Sequence, residues 1–215
     1  MRVIRGAWRA ALVLLLVVAA STFVPAVRST LLATVGRALV ADDPLTSADV
    51  IAIAPDAQEA GVLEASDLVQ RGISSRVVIL SRPVTPIAGH FKERGVEYAD
   101  EGERYLRLLH AMNVGQVEIV RMPEGGTEEV GEFLPEWSRQ RQLHSVLVVT
   151  GTDHSRRVKR VLRRNSSGQQ PRFTVRRSRY SAFTPERWWW RRSTVRTGVV
   201  ELQKLALDVV LHPLS

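Results

Sequence analysis

The sequence predicts an α/β fold, with a mostly parallel sheet of about five strands in a three-layer sandwich, preceded by an N-terminal transmembrane helix. Three observations carry this. From residue 48 onward, short apolar runs alternate with stretches of helical periodicity. Strand–helix–strand units of this kind have crossovers that keep the strands parallel and lay helices on both faces. Near the start, a charge-free and mostly apolar run covers residues 10–27. Between them, the chain is long enough to bury a core over its last 165 or so residues.

Residues 1–27 are the expected anchor. Arg2, Arg5 and Arg9 precede the run, which as a helix rises ~27 Å, close to the hydrocarbon thickness of a bilayer. Trp8 stands at its boundary, where an indole is accommodated by the interface. Three arginines before the run, against only Arg28 and Arg37 after it, orient the N-terminus to the cytoplasm and the remainder outside. Two other readings remain open. Val24-Pro25-Ala26 matches the small-residue pattern of a cleaved signal peptide, and the run can also be a buried helix of a soluble domain.

Residues 28–47 read as a juxtamembrane connector ending in Asp42-Asp43-Pro44, and residues 48–215 as the domain. A first strand is predicted over 50–54 and a helix over 58–71, with Gly72 at its C-terminal end. A second strand covers 76–80. Residues 81–99, with Pro83, Pro86 and Gly89, read as a loop long enough to be functional. A helix over 101–112, a strand over 116–120 and a helix over 127–141 follow. The fourth strand, 145–150, contains the four consecutive apolar residues 146–149 and reads as a buried parallel strand. A helix over 156–164, a strand over 173–175 and a last helix over 199–211 complete the chain.

The chain contains no cysteine, which excludes disulfides, thiolate catalysis and cysteine zinc sites. His90, His110, His144 and His212 have no metal-ligand spacing and read as surface or core residues, so they predict no metal site, and the sequence leaves the cofactor open. Between Arg156 and Arg192 stand thirteen Lys or Arg residues and one acid, Glu186. That local +12, in a chain of +8, leaves the remainder at −4. Such a segment serves either anionic partners or a solvated face. Nucleic acid is an unfavoured partner, because binding it requires the domain to be cytoplasmic.

The densest chemistry lies in 146–157, where a strand passes through Thr150, Gly151, Thr152 and Asp153 into His154 and Arg157. The carboxyl edge of a parallel sheet is where ligands bind, and free backbone N–H groups at a helix start favour anions. His154 is a candidate general acid/base or phosphate-binding imidazole, the bland alternative being a structural capping histidine. Arg157 is a candidate anion clamp, although it is one of many arginines nearby. Glu101 and Glu129, near predicted helix starts after strands, can point into the same crevice for proton transfer or metal-assisted hydrolysis, or simply stabilise their helices by ~0.3–1 kcal/mol through the dipole. Thr127 reads as an N-cap that can also bind ligand, Thr150 as ligand-binding at the strand end, and Asp56 as a turn residue able to touch a ligand. The Gly125-Gly126-Thr127 stretch lacks the spacing and lysine of a P-loop. Trp188-Trp189-Trp190 reads as packing against the last helix or touching a bilayer interface.

With these motifs placed, the chain resembles the SanA/YdcF/ElyC family of bacterial envelope proteins, over roughly residues 48–211. Leu147 to Arg157 is similar to that family's LVTS…HxxR segment, with His154 and Arg157 in register. Glu101, Tyr105, Leu109, Met112 and Val114 resemble its second helix, with Asn113 where the family has glycine. Thr127 and Glu129 match its nTxEN segment, with Val130 for the last asparagine and Arg121 for a preceding acid. Trp188–Trp190 and Glu201 resemble its tryptophan region and final helix. Ala54-Pro55-Asp56 and Ser81-Arg82-Pro83 replace its glycine-rich turns, and Gly61 stands where its arginine falls. The resemblance implies a Rossmann-like domain outside the bacterial plasma membrane, with a role in envelope integrity or cell-wall biogenesis. The ligand it implies carries phosphate, and is lipid-linked or small. A degenerate, non-catalytic module binding a nucleotide or S-adenosylmethionine-like ligand is the alternative.

Overall fold

In the computed structural model, residues 24–123, 126–166 and 171–213 are described. Five strands form one sheet, β1 (Val50–Ile53), β2 (Arg76–Ser81), β3 (Gln116–Arg121), β4 (Ser145–Thr150) and β5 (Arg172–Arg177), in the order β3-β2-β1-β4-β5. All four pairings are parallel. Seven α-helices are described: α1 (Pro25–Ala38), α2 (Gln58–Gln70), α3 (Pro86–Glu93), α4 (Glu101–Ala111), α5 (Thr127–Gln140), α6 (Ser155–Ser166) and α7 (Arg192–Leu211). This is a Rossmann-like architecture.

Period-2 alternation in the strands divides the core. Ala52, Val78, Val146 and Val148 face one way and meet Val130, Leu134, Val158 and Leu162 of α5 and α6. Ile51, Ile53, Ile79, Leu147 and Val149 face the other way, onto Val62, Ala65 and Leu68 of α2 and Tyr105 and Leu109 of α4. All of β1 and the five residues from Val146 to Thr150 of β4 are buried on both faces, so each large aliphatic there contributes ~1.5–3 kcal/mol. The chain runs outward from β1 to β3 on one side and from β4 to β5 on the other. Reversing direction under one crossover hand moves the helices to the opposite face, which is why α2 and α4 sit across the sheet from α5 and α6. Between β1 and β4 the two halves splay apart, and their connecting loops open a crevice at the carboxyl edge.

Three expectations need correction. The connector expected over 28–47 begins as a helix, α1, with Pro25 in its first turn. Its small residues are the reason. A Cβ on Gly36 would stand 2.7 Å from the Pro185 carbonyl oxygen and 2.7 Å from Trp188, and Trp188 Nε1 donates to the Leu32 carbonyl at 2.8 Å. The loop expected over 81–99 contains α3, opened by Pro86 and closed by Phe91 stacked on Tyr98 at 5.3 Å. The last helix starts seven residues earlier than expected, since Thr194 and Gly198 are small enough to seat Phe183 and Trp188. The tryptophan segment packs against α7, as anticipated, through Trp188.

The apolar run over 10–27 lies outside the described residues except for its last four positions. Among the described residues, no helix is long and apolar enough to cross a membrane. The edge of β5 is covered by the segment after α1. Asp43 donates its N–H to the Val175 carbonyl at 2.9 Å, and its carboxylate accepts the Val175 N–H at 3.0 Å, closing an otherwise open edge.

Candidate functional site

The loops after β1, β2, β3 and β4 surround a cleft of about 280 Å³ at the carboxyl edge of the sheet. Asp56 arrives from the β1 end, Arg82 from the β2 end, Thr127 and Glu129 from the start of α5, and His154 and Arg157 from the start of α6. Lys204 reaches in from α7. Five of the seven expected ligand-site or catalytic residues therefore line one cavity, at the switch point between β1 and β4. The remaining two stand back from it. Thr150 is fully buried and donates its hydroxyl to Asp56 Oδ2 at 2.5 Å. Glu101 is absent from the lining, and its carboxylate accepts the Tyr105 hydroxyl at 2.9 Å, one turn along α4.

Asp56 ties the two halves of the sheet together. Its Oδ2 accepts from Thr150 and from the Gly151 N–H at 2.7 Å, so the first loop is pinned to the fourth. Thr127 is the first helical residue of α5 and Gly126 the N-cap, without a side-chain cap. Glu129 Oε2 folds back over this turn, 2.2 Å from where a Cβ on Gly126 would stand. Glycine at 126 is what leaves room for that carboxylate.

Glu201, on α7, is the centre of the site, although only its resemblance to a final helix marks it in the sequence. It is 2 % exposed. Arg157 grips it with two contacts, Nε to Oε2 at 2.9 Å and Nη2 to Oε1 at 3.3 Å, the fork geometry of strong guanidinium–carboxylate pairing. Lys204 donates to Oε1 at 2.9 Å. His154 Nδ1, shielded from solvent, lies 3.3 Å from Oε2 in an ion-pair approach that is not aligned as a hydrogen bond. Burial works against ionising Glu201, but His154, Arg157 and Lys204 outweigh it and hold the carboxyl down at about 2.

Burial likewise opposes protonation of His154, yet the carboxylates of Glu201, Asp56 and Asp153 raise its pKa above the ordinary histidine value. Asp153 Oδ2 stands 3.9 Å from His154 Nε2. Burial, chiefly, pushes the Asp153 carboxyl up, with Asp56 and Glu201 adding to the shift against the pull of His154. The site thus holds an imidazole favouring its charged form between two carboxyls that titrate in opposite directions. Such a group can give or take a proton at Nε2 while Glu201 holds the ring. Around it, Arg82, Arg157 and Lys204 are interspersed with Asp56, Glu128 and Glu129, so the charge of the cleft is mixed. Among the described residues, no group of three His, Asp or Glu side chains is arranged to hold a metal ion.

Glu201, Lys204, Arg82 and Asp153 were not singled out as site residues from the sequence. A signal for Glu201 exists. Arg157, Arg160 and Arg164 lie on one stripe of α6. Glu201 and Asp208 lie two turns apart on α7, where Asp208 receives Arg160 Nε at 2.5 Å and Arg164 Nη1 at 2.7 Å. Complementary stripes on two helices mark a buried pairing that neither helix shows alone.

The same pairing explains much of the basic segment. Lys159 meets Asp43, Arg176 meets Asp42 and Glu64, Arg177 meets Asp42, and Arg179 meets Glu64 and Asp67. Glu64 is fully buried and also accepts the Arg179 backbone N–H at 3.0 Å. These cations staple the C-terminal third onto the acidic remainder. Compared with protein-family models, curated proteins and solved structures, the chain has no match in any of the three.

Proposed function

We propose that this chain is a SanA/YdcF/ElyC-like domain held at the outer face of the bacterial plasma membrane by its N-terminal apolar segment. There it binds a phosphate-bearing ligand in envelope integrity or cell-wall biogenesis. The observation that carries the binding reading is the convergence of Arg82, Arg157 and Lys204 with His154 in one cleft at the switch point of the sheet. The adjacent first turn of α5 presents backbone N–H groups with no side-chain cap, which favours an anion. His154 is the group for proton transfer to or from a phosphate oxygen, with Glu201 orienting its ring. The bilayer is the partner of residues 10–27, and nucleic acid is disfavoured by the ion pairs that engage the basic segment.

Calorimetric titration of the full chain with a polyprenyl phosphate, against the corresponding polyprenol, tests the binding reading. Phosphate-dependent binding that His154→Gln weakens at least tenfold is expected. Equal affinity for phosphate and alcohol would sink the proposal. A topology reporter fused after Ser215 tests location, and a signal from the cytoplasmic side overturns the external placement.

A second reading, binding without turnover, has its own support. The guanidinium of Arg157 is already neutralised by Glu201, which leaves less positive charge to develop against a transition state than an unpaired arginine supplies. Under this reading nucleotides or S-adenosylmethionine raise the thermal midpoint while no product forms.

A further inference from the structure

Beside the charged cleft lies a second cavity of about 340 Å³. The two share Asp56 and His154, so they are lobes of one site that meet at the imidazole. Their linings differ in kind. The first has Arg82, Arg157 and Lys204. The second has no Lys or Arg; it has the carboxyls of Asp56, Glu59 and Asp153 and the hydroxyls of Tyr180, Ser181, Ser193, Thr194 and Thr197, of which Tyr180 already donates to Asp67 and Thr194 and Thr197 to backbone carbonyls.

The second lobe offers both hydrogen-bond donors and acceptors. Asp153 is nearly buried and lines this lobe beside His154, its Oδ2 3.9 Å from Nε2. Ser181 Oγ accepts from the Phe183 N–H at 3.3 Å and the Thr152 N–H at 3.4 Å, leaving its own proton to donate. Ala57, the N-cap of α2, has no capping side chain, so the first-turn N–H groups after it also need acceptors. An ammonium group supplies no acceptor and leaves these donors unmet. An anion is repelled by Asp56 and Asp153, Glu59 being paired with Arg104 at 2.7 Å. A neutral polyol satisfies both halves of the requirement.

We propose that the ligand is a sugar phosphate, free or carried on a lipid. Its phosphate lies among Arg82, Arg157 and Lys204, its sugar fills the hydroxyl-lined lobe, and Asp153 accepts from a sugar hydroxyl. This rests on the phosphate-binding reading above and adds the chemistry of the second group. His154, common to both lobes, faces the bond that joins sugar to phosphate.

The test is calorimetric titration of the full chain with glucose 1-phosphate, inorganic phosphate and glucose in parallel, and with a polyprenyl glucosyl phosphate. Glucose 1-phosphate is expected to bind at least tenfold more tightly than phosphate or glucose. Ser193→Ala, checked for folding by circular dichroism, is expected to remove most of that advantage and to leave phosphate affinity within twofold. Phosphate binding as tight as that of glucose 1-phosphate overturns the sugar lobe while sparing the phosphate reading. Absence of binding by every phosphate compound overturns both. A further tenfold gain with the polyprenyl compound assigns the ligand to a lipid carrier, and equal affinity assigns it to the soluble pool.

Discussion

Replacing Glu201 with glutamine removes the charge at the centre of the site and keeps its shape. The carboxyl titrates near 4.5 in an unfolded chain and is held down to about 2 in the fold. At ~1.4 kcal/mol for each tenfold change, that difference is about 3 kcal/mol of stability. The side chain is only 3 % exposed, so solvent screening does not discount it. The figure lies at the lower edge of the ~3–5 kcal/mol typical of breaking a buried ion pair. The sign follows from the direction of the shift. A depressed carboxyl stabilises above its unfolded value, and the contribution is lost as pH falls through the folded one. The gap between the parent chain and Glu201→Gln is therefore full at pH 7 and closes between about pH 4.5 and pH 2. With a urea dependence of ~2 kcal/mol per molar, the midpoint at pH 7 drops by about 1.5 M. Urea unfolding of both proteins, followed by circular dichroism at pH 7, 4 and 2.5, measures it. Removing the partner charge as well, in Arg157→Met/Glu201→Leu, should recover part of the loss, because no ion is then left buried alone. A midpoint within 0.3 M of the parent at pH 7, or a gap that does not narrow in acid, refutes the assignment of Glu201 as the hub.

Three other outcomes are expected. The imidazole of His154, followed by proton NMR, titrates above the usual 6.5 in the parent and falls in Glu201→Gln; its stabilising contribution is present below 6.5 and fades as pH rises through the folded value. Gly131→Ala destabilises by ~1–3 kcal/mol, since a Cβ there would stand 2.0 Å from Val161 Cγ1 where α5 meets α6, and the thermal midpoint falls by ~2–4 °C per kcal/mol. Glu101→Gln changes the affinity for polyprenyl phosphate by less than twofold, because that carboxylate is engaged by Tyr105 outside the cleft; a tenfold loss would restore it to the site.

Most of the secondary structure was legible because strands and helices repeat their burial with a local period. The residues Val146 to Val149 are apolar on both faces, which reads as a buried parallel strand. The helix α5 announced itself by Thr127 and the acids after it. Where neighbours rather than period decided the conformation, reading failed. The helix α1 and the first two turns of α7 are poor in amphipathic pattern, and they hold together because Gly36 and Gly198 let Trp188 sit between them. The site shows the same division. Residues next to a strand end, such as Asp56, Thr127 and His154, were found by position. Asp153 passed as a turn residue, and Lys204 lies in a helix whose approach to the cleft no local pattern records.

The sequence alone determined the parallel α/β layering and the strand-end placement of Asp56, Thr127 and His154, because each follows from periodicity and from the geometry of crossovers, whereas the strand order that sets the switch point came from the structure. Tertiary structure alone decided which charges answer one another. Arg157 and Glu201 are 44 positions apart and Thr150 and Asp56 are 94 apart. Electrostatic pairing depends on distance in space and on burial, and neither is recorded in the spacing of residues along a chain. So Arg157, read as a clamp for a ligand, is held first by Glu201, and the thirteen basic residues, read as serving either anionic partners or a solvated face, are in large part the fastening of the fold itself.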